Sequence, residues 1–278
     1  MNRSKRATIA KQTVAICDEG FYQAPSGARV SVSQALAKAK AGTVLYSPVK
    51  LPTSCVADCG AVSTCINVNN ETTFQALARL ANESDGHLAC LNFASAKNPG
   101  GGFLNGSLAQ EEALACASGL YPCLLTARDY YTSNRENTSL LYLDLAVFSP
   151  LVPFFRDDEG VLLERPILAS VITAPAPNAG AVAQNEPHNM AHVEPTLGRR
   201  AELVLSIASA HGVNRIVLGA WGCGVFRNDP KLVAAAFADL LKPTGKFAGV
   251  FKDVAFAVYD RSESLATYKA FFEQFSGR

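Results

Sequence analysis

Three consecutive polar residues, Gln110-Glu111-Glu112, follow the glycine run Gly100-Gly101-Gly102 after an interval of seven residues. Two adjacent carboxylates just beyond a glycine loop suit proton transfer. Cleavage of a glycosidic bond needs one group to protonate the departing oxygen and one to activate water. A single carboxylate does both in sequence if the leaving hydroxyl departs before water is deprotonated. The positive end of a helix works against a general acid, which must hold its proton. A bound anion and a second Glu work for it through like-charge repulsion.

A second glycine loop, Gly219-Ala220-Trp221-Gly222-Cys223-Gly224-Val225-Phe226, lies further along the chain. Each loop comes after a predicted strand and before a predicted helix. Ligands of open α/β sheets bind at the C-terminal ends of the strands, so both loops are expected on one rim. Glycine lets backbone approach a ligand, and N–H groups ahead of a helix bind anions. A diphosphate can be held this way without Lys or Arg. Neither loop has the Lys-Ser/Thr pair of a nucleoside-triphosphate loop. Gly222-x-Gly224 has Arg227 where a dinucleotide fingerprint has its third Gly. Triphosphate hydrolysis and dinucleotide redox chemistry lose support accordingly.

The elements that must position these loops are read from periodicity and punctuation. Helices are predicted over 6–17, Ser33–Ala41, 70–82 with Asn70 as N-cap, Gln110–Ala117, 199–211 with Gly212 as the stop, 231–241, and 262–275. Asp229 and Pro230 start the helix at 231 as N-cap and first residue. Strands are predicted over 62–68, Leu88–Phe93, 141–147, 166–173, 214–219 and 253–259. The polar stretch 184–197 reads as a loop. Alternating strands and helices imply an α/β sandwich with a mixed or largely parallel sheet. No linker divides the chain. One domain is expected over 1–278, with residues 1–60 a helical N-terminal extension.

With 25 basic and 24 acidic residues the net charge is +1, which gives no electrostatic ground for direct DNA or RNA binding. The eight cysteines are scattered, several in apolar runs, and read as reduced thiols. Residues 1–11 have no apolar signal region, and no run reaches the roughly 18–20 apolar residues of a membrane span. A soluble, cytoplasmic, monomeric protein is expected. Cys55-x3-Cys59-x5-Cys65 is a weak zinc set: three ligands, irregular spacing and no nearby His. His188 and His192 read as solvated loop residues, and Trp221 as core more than ligand wall.

The triple glycine and Gln-Glu-Glu, at this spacing, resemble the signature of poly(ADP-ribose) glycohydrolases. The octapeptide Asn92-Phe93-Ala94-Ser95-Ala96-Lys97-Asn98-Pro99 resembles their bacterial branch, and residues 219–228 resemble its diphosphate loop. The likeness runs from about Thr8 to Phe275. It implies a macrodomain-like three-layer α/β sandwich, with a mixed central sheet and helices on both faces. It implies hydrolysis of the ribose–ribose O-glycosidic bonds of poly(ADP-ribose), releasing ADP-ribose and reversing poly-ADP-ribosylation in the DNA damage response. Glu112 then corresponds to the catalytic acid/base, with Glu111 beside it. Glu111 and Asn98 correspond to holders of ribose hydroxyls. Gly100, Gly101, Gly102 and Gln110 join the substrate-binding set. Gly222, Cys223, Gly224, Val225 and Phe226 fall in the loop around the diphosphate, and Phe226 matches an aromatic on the distal ribose. The helix near Glu71 and residues 256–260 are candidates for holding adenine. Neither metal nor cofactor is implied; the partners are poly(ADP-ribose), ADP-ribose and poly-ADP-ribosylated proteins. A non-catalytic ADP-ribose-binding macrodomain would need no carboxylate at the scissile bond. A hydrolase of single protein-linked ADP-ribose is the other alternative. A nucleotide-sugar phosphatase would need a base or metal at the diphosphate loop.

Overall fold

The computed structural model describes residues 1–50, 63–83 and 86–276. In chain order its elements are α1 (Arg3–Glu19), β1 (Phe21–Gln23), β2 (Arg29–Ser31), α2 (Ser33–Ala41), β3 (Val44–Tyr46), β4 (Cys65–Asn69), α3 (Thr73–Glu83), β5 (Leu88–Phe93), α4 (Gln110–Ala117), α5 (Leu120–Leu124), α6 (Arg128–Glu136), β6 (Ala146–Arg156), β7 (Leu162–Ala174), α7 (Ala179–Asn185), α8 (Val193–Ala210), β8 (Arg215–Gly219), α9 (Pro230–Leu241), β9 (Asp253–Ala257) and α10 (Ala266–Ser276).

Seven strands form one sheet in the order β3-β6-β7-β5-β8-β9-β4. The pairs from β7 through β4 are parallel, whereas β6 pairs antiparallel with both β7 and β3. The central strands β5 and β8 are mostly apolar and buried because both faces are covered, with Asn92 and Arg215 as their buried polar residues. Ala89 and Leu91 of β5 pack with Ile216, Leu218 and helices α8, α9 and α10. Leu88 and Cys90 pack on the other side with Val217 and helices α3, α4 and α6. Helices thus cover both faces of a mixed sheet. Because β5 and β8 are adjacent and parallel, the two glycine loops leave the sheet from one edge, as expected.

Several boundaries differ from the sequence reading. Thr72, not Asn70, caps α3: its hydroxyl accepts from Gln75 N–H (3.1 Å) while the Gln75 side chain accepts from Thr72 N–H (3.0 Å). Asn70 instead exchanges two hydrogen bonds with the backbone of Asp260. Asp260 in turn accepts from the N–H groups of Thr267 and Tyr268, which moves the start of the last helix from 262 to Ala266. Residues 184–197 are largely helical rather than a loop. Pro187 and Pro195 both sit in first turns, where a missing N–H costs nothing. The strand expected over 141–147 begins only at Ala146. The N-terminal segment also carries the β1–β2 hairpin, and β3 is an edge strand of the main sheet, so it is more than a helical extension. Among the described residues, no helix is long and apolar enough to cross a membrane.

Candidate active site

Beyond Phe93 the chain folds back over the start of α4. The Ser95 hydroxyl accepts the N–H groups of Lys97 (3.3 Å) and Asn98 (3.0 Å), and the Asn98 carbonyl accepts that of Gly101 (3.0 Å). Gly100 and Gly101 adopt φ of +66° and +58°, the left-handed region that favours glycine. This turn aims backbone donors at the two glutamates. Gly102 N–H donates to Glu112 Oε1 (3.0 Å), and Ser95 N–H donates to Glu111 Oε2 (2.7 Å). Asn92 Nδ2 donates to Glu111 Oε1 (3.3 Å). A Cβ on Gly101 would lie 3.2 Å from Glu111 Oε2 and closer still to Glu112 Oε1, so both carboxylates converge on this glycine. The Gly101 and Gly102 amides, expected to face a ligand, are therefore engaged within the protein. Neither Asn92 nor Ser95 is among the residues expected at the site, although both lie in the octapeptide 92–99. Asn98 itself is exposed at the turn.

The two glutamates have different environments. Glu111 is 3 % exposed, and burial pushes its pKa up to about 8 against the pull of its amide donors. Glu112 is half-buried and lines a cavity of about 60 Å³ whose walls include Arg6, Cys116, Arg156 and Asp158. Helix α1 and the turn after β6 thus complete the site beside Glu112. Arg3 and Arg6 anchor α1 there by donating to the carbonyls of Asn105 (2.9 Å) and Gly106 (2.8 Å).

The Glu111 environment has a measurable consequence. Its folded pKa lies above the free value of 4.5, so the fold favours the protonated acid. The associated stability is fully present below the free value and is lost as pH rises toward 8. Glu111→Gln carries no charge and escapes that loss. Its Tm should climb relative to wild type by several degrees between about pH 5 and about pH 9, with a ceiling of about 5 kcal/mol. Thermal melts across that range check this. A Tm difference independent of pH would show that Glu111 binds as many protons unfolded as folded over this range, so that burial does not raise its pKa.

Gln110 braces the strand beneath. Its Oε1 accepts from Phe93 N–H (2.8 Å), and its Nε2 donates to Thr73 Oγ1 (3.1 Å) and Leu91 O (2.8 Å). Both ends of the amide are taken up in tying α4 to β5 and α3, although the motif suggested substrate contact.

The second loop presents a different surface. Gly222 sits at φ +72°, and a Cβ there would strike Asn228 and Ala176. Asn228 closes the base of the loop: its N–H donates to Gly222 O (3.1 Å) and its Nδ2 to Pro177 O (2.9 Å). Cys223 N–H donates to Ala220 O (3.1 Å), and burial pushes its thiol up to about 12. Among the described residues, none accepts the N–H groups of Gly224, Val225 or Phe226. A Cβ on Gly224 would meet nothing within 4 Å, and Val225 is 81 % exposed. Three successive backbone donors with no acceptor among the described residues can serve an anion. The Phe226 ring lies 6.0 Å from that of Tyr142.

Trp221 is core, as expected: it is 1 % exposed and donates to Ala174 O (3.1 Å). Cys55 and Cys59 lie outside the described residues, and Cys65 is exposed. Among the described residues, no three His, Cys, Asp or Glu side chains are grouped to hold a metal. Of the adenine candidates, Glu71 is occupied by Arg79 and Asn69.

Residues 10–157 match the family model described as the catalytic domain of microbial-type PARG, the poly(ADP-ribose) glycohydrolases. The chain belongs to this family. Solved PARG structures extend the likeness over the rest of the chain. The Thermomonospora curvata enzyme bound to the inhibitor ADP-HPD is 45% identical, with a TM-score of 0.92 over 98% of this chain and 100% of that one. The Deinococcus radiodurans enzyme in complex with ADP-ribose is 47% identical, with a TM-score of 0.82 over 87% of this chain and 97% of that one. No curated protein matched the chain. The seven-stranded sheet with helices on both faces is thus the PARG macrodomain-like fold. Its paired glutamates and its open loop amides lie on one rim.

Proposed function

We propose that this chain hydrolyses the ribose–ribose O-glycosidic bonds of poly(ADP-ribose), with Glu112 as the group that moves the proton. The observation that carries the reading is the convergence of Glu111 and Glu112 on Gly101, on the same rim as the open amides of 224–226. The amides suit the diphosphate of an ADP-ribose unit. Glu112 gives its proton to the departing 2′-oxygen as the anomeric C–O bond breaks, and the bonding pair leaves with that oxygen. The oxocarbenium-like centre then takes water, whose proton returns to Glu112. One water is consumed per bond, and Glu112 ends as it began.

Glu111 sits beside this cycle as a buried acid, and Gln110 acts through β5 rather than on substrate. Asn98, exposed at the turn, is placed to hold a ribose hydroxyl. Phe226 and Val225 edge the diphosphate loop. In this reading residues 1–278 work as one catalytic unit, since α1 walls the Glu112 cavity.

Purified protein incubated with poly(ADP-ribose) should release ADP-ribose and shorten the polymer. Binding of ADP-ribose without release would make the chain a reader. Activity confined to single ADP-ribose on protein would make it a mono-ADP-ribosyl hydrolase.

A further inference from the structure

We propose that Arg200 is a positioning residue for substrate binding, which holds the Tyr142–Phe226 aromatic wall in place from inside the protein. This rests on the functional reading above, since that wall edges the loop assigned to the diphosphate.

Arg200 projects from α8 with a side chain 0 % exposed. Its Nε donates to Asp144 Oδ1 (2.8 Å), one terminal nitrogen donates to Pro175 O (2.9 Å), and the other to the carbonyls of Leu141 and Tyr142. A rigid planar fork is thus filled by one carboxylate and three carbonyls. These acceptors come from two rim segments: the stretch between α6 and β6, and the exit from β7.

The first segment is the one expected to be a strand. Its carbonyls turn to the guanidinium instead of a neighbouring strand, and Tyr142 takes φ +60°, unusual for a residue with a side chain. That backbone places the Tyr142 ring against Phe226. The same segment and the diphosphate loop are both tied to the start of α7. Asn178 N–H donates to Leu140 O (3.1 Å), and Gly180 N–H donates to Phe226 O (2.9 Å). Arg200 therefore sits behind a connected rim, and its hydrogen bonds go to that rim and not to Glu111 or Glu112. Its loss should loosen the grip on substrate and leave the chemistry of bound substrate nearly intact.

The test compares wild type with Asp144→Asn and Arg200→Lys. Asp144 is one-quarter exposed, so its neutral variant withdraws the carboxylate with little change in packing. Lys keeps a cation and loses the fork; should it fail to fold, Asp144→Asn alone decides. The expected result is a rise of about tenfold in KM for poly(ADP-ribose) and in Kd for ADP-ribose, with kcat within about twofold of wild type. A folded variant with lowered Tm but wild-type KM and Kd would overturn the proposal, as would a loss confined to kcat. A wild type that neither binds ADP-ribose nor cleaves polymer would overturn the functional reading itself, and this inference with it.

Discussion

Glu112→Gln is expected to lower kcat on poly(ADP-ribose) by about 10²–10⁴-fold and to leave ADP-ribose affinity near its wild-type value. Gln matches Glu in size, and its carbonyl oxygen can still accept the Gly102 N–H that Glu112 Oε1 now takes at 3.0 Å. The glycine turn therefore keeps its anchor. What disappears is the ability to give a proton to the leaving oxygen and take one back from water. Because Glu112 is half-buried and neutral Gln needs no counter-charge, the fold should tolerate the change. The paired readouts are single-turnover release of ADP-ribose and calorimetric binding of ADP-ribose. A kcat close to wild type would shift the acid role to Glu111, the nearby carboxyl that burial holds up at about 8. The Glu111→Gln variant would then show the loss instead.

The parts of the site legible in the sequence are the local ones. β5 and α4 begin and end where the apolar run and the Gln-Glu-Glu start placed them. Asp229 and Pro230 open α9 in the expected roles. The different fates of Glu111 and Glu112 were not legible. Successive helical residues point about 100° apart, and only the packing of α4 on β5 decides which of the two is buried. Helix α1 reached the site through contacts spanning about a hundred residues, Arg3 to Asn105 and Arg6 to Gly106, which no local pattern announces. The alternation of Leu141, Leu143, Leu145 and Val147 imitates a strand. Arg200, far along the chain, captures its first carbonyls and keeps those residues out of the sheet. The stretch 184–197 reads as a loop because it is polar, yet polarity is no bar to helix on an exposed surface, and Pro187 and Pro195 occupy first turns that accept proline.

Gly101→Ala should reduce kcat/KM by about 10²-fold or more, although it adds a single methyl group. At φ +58° an L side chain costs about 1–2 kcal/mol in backbone strain, which a domain of this size can bear. The larger effect is steric. The methyl would occupy the point on which the carboxylates converge, driving Glu112 Oε1 aside and crowding Glu111 Oε2 at 3.2 Å. Displacement of a reacting group by about 1 Å is enough for such a loss. Glu112 cannot retreat without giving up the Gly102 N–H, and Glu111 is held by Ser95 and Asn92 in a buried site. The variant should therefore melt a few degrees below wild type while losing most of its turnover, as kinetics and thermal melts on one preparation would reveal. Full activity in Gly101→Ala would mean that the carboxylates have room to move. The glycine would then serve the turn alone, and the tight pairing of Glu111 and Glu112 would no longer explain catalysis.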